Sequence, residues 1–77
     1  MAVQDYNSAD VAFVQAMIPH HAAAVEMALR YINNGQNSTI LAMAHDIASG
    51  QRDEISTFRS WLRMRGLNES GGSMSPM

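Results

Sequence analysis

Apolar side chains return every three or four positions through most of the chain, and nowhere does the strict alternation of a strand compete with them. Val11, Val14, Ile18, His21, Val25, Ala28 and Ile32 follow one another at such steps, which predicts a first helix over about residues 9–33 with this row as its buried seam. His21 is the polar member of that row and therefore points at the core. A flank beside the seam carries Phe13, Met17, His20, Ala24, Met27 and Tyr31, while Gln15, Glu26, Arg30 and Asn33 lie on the far side. Glu26 and Arg30, four residues apart, read as a solvent-facing pair. The same period returns as Ile40, Ala44, Ile47, Gln51, Ile55, Phe58 and Leu62, predicting a second helix over 38–65 with Met43, Gly50, Glu54 and Trp61 on one flank.

The ends of both helices carry stop and start signals. Ser8 or Asp10 can cap the first, with Asp10 near the positive end of the helix dipole, and Asn37 or Ser38 can cap the second. Asn33-Asn34-Gly35 closes the first helix, with Gly35 suited to a left-handed residue, and Gly66-Leu67 closes the second. Arg59, Arg63 and Arg65 sit near that second, negative end. Pro19 falls inside the first helix, where it lacks a donor and its ring presses on the carbonyl four residues back, so a kink at Gln15 to Pro19 costing about 3 kcal/mol is expected. The short connection makes residues 1–67 one antiparallel hairpin. Residues 68–77 (NESGGSMSPM) have the composition of a disordered tail.

Length then turns the hairpin into half of something. At 77 residues and 47% apolar, the chain is too apolar to be disordered and too short to cover both helices with one partner each, and without cysteine it has no disulfide to lean on. Two copies pairing into an all-α, homodimeric four-helix bundle resolve this. Charge removes other classes. Five arginines, no lysine and seven acidic residues leave a formal charge of -2, which argues against a nucleic-acid partner. No apolar run is long enough for membrane insertion, and the first 20 residues lack the basic start and apolar centre of a signal peptide. The chain as given reads as soluble, and an exported domain with its leader removed has the same composition.

The compositional excess is methionine, seven in all. Met17-Ile18-Pro19-His20-His21, with Met27 two turns on, places thioethers and imidazoles together. Adjacent histidines on a helix diverge by 100°, and Met17 lies within reach of both at i+3 and i+4. Copper(I) and silver(I) take such donors, and with no thiolate in the chain these are its soft ligands. The candidate ligand set is His20, His21, Met17 and Met27, with Met43 as an outside member, completed by two copies of the motif. Gln51 or Glu54 is expected to engage the His21 ring, either orienting a ligand or satisfying a core histidine. The competing reading takes the methionines as core filling and the histidines as hydrogen-bonded residues of a structural or interaction bundle with no metal. His45, beside Leu41 and Arg52, reads as solvated, Gly50 as a point of close helix approach, and Met64, Met74 and Met77 as near or in the tail, where disorder is favoured over transient recruitment of soft metal. Catalysis has little support: no glutamate has a histidine three residues on, and no nucleophile elbow is present. A carboxylate and histidine metal enzyme using Glu54 is the weakest of the three readings.

The runs FVQAMIPHHAAAVEMA and LAMAHDIASGQRDEISTFRSWL resemble the domain of unknown function 305 family, small bacterial proteins, mostly secreted, with a ferritin-like helical fold. The resemblance spans Asp10 to Leu62. Its pattern is met by Met17, His20, His21, Met27 and Ala28, then by Gln51, Glu54, Ile55, Trp61 and Leu62. It implies copper or silver binding, sequestration or tolerance, and a periplasmic or secreted setting. Two departures accompany it. Phe58 stands where members often carry Met, which counts against high-capacity copper storage, and the chain holds one helix pair where many members hold two, which agrees with a dimer.

Overall fold

The structure is a computed structural model that describes residues 5–70. Among those residues it consists of two helices, α1 (Ser8–Asn34) and α2 (Ser38–Met64), turned back on each other through residues 35–37 and packed side by side as a hairpin, with no strand. Both helices fall within a residue or so of the spans the periodicity predicts.

The caps are where local chemistry departs from expectation. Asn7, not Ser8 or Asp10, is the N-cap of α1: its side chain accepts from the Asp10 amide at 3.0 Å, and the Asp10 carboxylate accepts from the Asn7 amide at 3.0 Å. Asp10 therefore serves as the reciprocal partner of a capping box, with Ser8 already helical. At the other end Gly35 is extended (φ -83°) and not left-handed. The Tyr31 ring lies where a Cβ would stand, so a larger residue at 35 needs that ring to move. The second helix matches expectation at both ends. Asn37 accepts from the Ile40 amide at 3.0 Å. Gly66 is left-handed (φ 69°), its amide donates to the Arg63 carbonyl at 3.1 Å, and the Leu67 amide donates to the Leu62 carbonyl at 3.0 Å. That pair of bonds turns Leu67 back onto the core.

Two apolar clusters hold the helices together. At the open end Val14, Ile18 and Leu62 are buried with Val11, Ile55, Phe58, Trp61 and Leu67 packed on them, and Leu62 is 1% exposed. Near the connection the cluster is Ala28, Ala44 and Ala48, with Tyr31 and Ile32 against it. The α1 seam is buried as predicted, His21 included, but the α2 seam is rotated. Ile40 and Ile47 are 43% and 44% exposed while Ala48 is buried at 4%. A seven-residue row drifts on a 3.6-residue helix, and small alanines let the two backbones close directly on each other, which moves the isoleucines to the shoulder.

α1 runs unbroken through Pro19, which sits on its exposed side. Glu26 and Arg30 both face solvent and do not form an ion pair. The start of the expected tail is engaged: the Asn68 carbonyl accepts from Gln15 Nε2 at 2.9 Å, and Arg59 donates to Glu69 at 2.9 Å. Residues 71–77, with Met74 and Met77, lie outside the described residues. Asp5 and Tyr6 meet Trp61 and Arg65 in a clamp. Arg65 lies 4.2 Å from the Trp61 ring centre, donates to both Asp5 oxygens at 3.2 and 2.6 Å, and donates to the Trp61 carbonyl at 3.0 Å. The hydrogen bond with Arg65 holds the Asp5 carboxyl below the usual carboxylate range, and the same bond pushes the guanidinium up.

Candidate metal centre

The helical seam carries His21 into the interface between the helices, where its Nε2 lies 2.5 Å from Glu54 Oε1 and Phe58 packs edge-on against it at 5.3 Å. Glu54 is thus the engaging partner, while Gln51 is half-buried and makes no hydrogen bond to the ring. The other ring nitrogen, Nδ1, is buried without a partner. A buried nitrogen left unpaired is costly, and its lone pair is free for a donor or a cation. His20 diverges as adjacent helical residues must: its ring centre is 6.1 Å from that of His21, tilted by 56°, and it is exposed.

Met17 and Met27 occupy the flank of α1 that also carries His20, and Met43 belongs to α2. Met17 is half-buried. Met27 and Met43 are 68% and 53% exposed, and both line one apolar groove of about 420 Å³ with Ala24, Tyr31, Ile40 and Ile47. Face and flank agree with the sequence reading. A single hairpin brings together Met27 with Met43, and His21 with Glu54, but it does not close all five candidate donors around one point. No group of three or more His, Asp or Glu side chains suited to a metal ion occurs among the described residues. Thioether sulfur and imidazole nitrogen are donors of the kind soft ions take, whereas hard ions need converging oxygens.

The matching family model covers residues 10–77, and its description is "Domain of unknown function (DUF305)". The chain belongs to the DUF305 family. No curated protein and no solved structure matches it. Within this DUF305 domain Phe58 falls directly on the candidate site, since the phenyl ring packs against His21 and, at 6.4 Å, against Phe13.

Some features escaped the sequence. The face opposite the methionines carries a shallow polar groove of about 430 Å³ along Arg52, Ser56, Arg59, Ser60 and Arg63, where only a helix-end effect was expected. A second, lined by Leu29, Ile32, His45 and Asp53 among others, leaves His45 exposed as expected. The Arg65, Trp61, Asp5 and Tyr6 clamp was missed too. The i, i+4 spacing of Trp61 and Arg65 was its one local signal.

Proposed function

We propose that two copies of this DUF305 hairpin associate through the methionine face into a ferritin-like four-helix bundle, and that the covered face binds copper(I) or silver(I) for sequestration or transfer. The observation that carries the reading is the groove holding Met27 and Met43. Two soft donors stand exposed in an apolar concavity, on the flank shared with Met17 and His20. Phe13 at 59% exposure extends the same apolar surface toward the open end. A surface of this kind favours burial against a partner. His20, Met17, Met27 and Met43 would hold the ion, with His21 contributing through Nδ1 and Glu54 orienting its ring. A bound soft ion supplies charge to a thioether-lined site and no turnover is required of it.

The test is titration with copper(I) against a competing chelator. Met27→Leu combined with His20→Ala should weaken binding at least tenfold while the helical circular dichroism is kept. Equal affinity in this variant and the wild type removes the proposed site.

One observation favours a second reading, a structural bundle without metal: the Glu54 carboxylate already satisfies Nε2 of His21. The two readings part on stability. Ligand bound only by the folded state raises it by about 2.7 kcal/mol at a hundredfold excess over Kd, so silver(I) should raise Tm under the first and leave it unchanged under the second.

A further inference from the structure

We infer that the second copy docks with its two-fold axis parallel to the helices, so that α1 of each hairpin lies on α2 of the other, His20 faces Glu54 of the second copy, and Gly50 sits at the closest approach. This rests on the dimer proposed above and specifies its arrangement.

Three observations carry it. The first is level. The His21–Glu54 contact places residues 20 and 21 of α1 beside residue 54 of α2. One turn on along α1 is Ala24, and one turn back along α2 is Gly50. A second turn reaches Met27 and Ile47, which share the groove. Face-to-face packing of identical hairpins allows two in-plane axes. An axis along the helices keeps every level, laying the apolar groove on the apolar groove over the full helix length. An axis across the helices reverses the levels. It either puts the groove against the Phe13 and Trp61 end, or slides the copies along each other and leaves both ends uncovered.

The second is charge. His20 and Glu54 are the imidazole and the carboxylate of this flank. The lengthwise axis opposes histidine to carboxylate, and both are exposed in the single hairpin. The crosswise axis centred at their level opposes His20 to His20 and Glu54 to Glu54, an unfavourable pairing of like groups.

The third is Gly50. It lies inside α2, where glycine costs roughly 0.5–1 kcal/mol relative to alanine. Its φ is not positive, and a Cβ built there meets nothing within 4 Å. The hairpin alone gives no reason for a glycine. A helix of a second copy pressed against Ala24 and Gly50 does. The same arrangement lays Met27 and Met43 of both copies along a single covered space, four thioethers within about one helical turn of level of each other.

The chain has no cysteine, so cross-linking is clean. Met27→Cys and Ile47→Cys single variants, mixed in equal amounts and oxidised, should give mainly the mixed 27–47 disulfide. A predominance of 27–27 and 47–47 products, or no disulfide, overturns the arrangement. In parallel, Gly50→Ala should weaken self-association at least tenfold. Unchanged or tighter association, with a raised Tm from the better helix former, overturns the role of Gly50. Sedimentation equilibrium of the wild type separates the two levels of the account. A dimer with homodisulfides overturns this arrangement alone, whereas a monomer overturns the proposed dimer with it.

Discussion

His21 and Glu54 offer the sharpest energetic test of the hairpin itself. His21 is buried, its Nε2 has one partner and its Nδ1 none, so the Glu54 carboxylate is the group that makes this imidazole tolerable. A hydrogen bond to a charged group contributes about 1.5–3 kcal/mol when buried, but the Glu54 side chain is 60% exposed and solvent screens it, which brings the value to about 1 kcal/mol. Glu54→Ala should therefore lower Tm by roughly 4–8 °C in a domain of this size. His21→Leu removes the buried polar ring and should cost little, because leucine keeps apolar volume without an unpaired nitrogen. The decisive quantity is the cycle. In a His21→Leu background Glu54→Ala should be close to neutral, and the coupling between the two sites should be about 1 kcal/mol. Urea unfolding followed by far-ultraviolet circular dichroism, at one fixed chain concentration, measures it. An equal cost of Glu54→Ala in both backgrounds would show that the carboxylate does not stabilise the ring.

Further outcomes follow from the packing and the clamp. Leu62→Ala, at the most buried side chain of the open-end cluster, should cost about 2–5 kcal/mol in the same unfolding assay, and a loss below 1 kcal/mol would mean that this cluster is not the core. Asp5 is held below the usual carboxylate range by Arg65, so the folded form favours its ionised state. Its contribution is complete above the ordinary value of 3.8 and is lost as pH falls through the lower folded value. Emission from Trp61, the one tryptophan of the chain, should accordingly change between pH 5 and pH 2, and Asp5→Asn should abolish that change. An identical acid transition in the variant rules the clamp out as its source.

Much of this architecture could be read from the chain because each signal was local. The three-and-four spacing from Val11 to Ile32 was enough to bury His21, and the spacing on α2 narrowed its partner to Gln51 or Glu54, of which the structure engages Glu54. Asn37 and Gly66 act at their helix ends through contacts a few residues long. The failures have different causes. Asn7 competed with Ser8 and Asp10, and only the reciprocal bond between Asn7 and Asp10 decides which residue starts the helix. Gly35 was assigned a backbone role when the constraint is the Tyr31 ring above it. Ile47 and Ala48 exchanged places because interhelical distance depends on which small residues meet across the interface, a property of two segments together. The clamp joins residues far apart in the chain, so no window of sequence contains it. For the donors, the spacing gave the shared face of Met17, His20 and Met27, but α2 had to be placed before Met43 and Met27 could be assigned to one groove.

The central claim is that one face of the hairpin both associates and holds a soft ion. Methyl resonances of the methionines during a silver(I) titration test it most directly, because exposure and position make different forecasts. Met64, at 82%, is more exposed than Met27 or Met43, yet lies at the end of α2 away from their groove. The account predicts that Met17, Met27 and Met43 shift together and saturate while Met64 stays in place; a response led by Met64, or none at the groove, contradicts it.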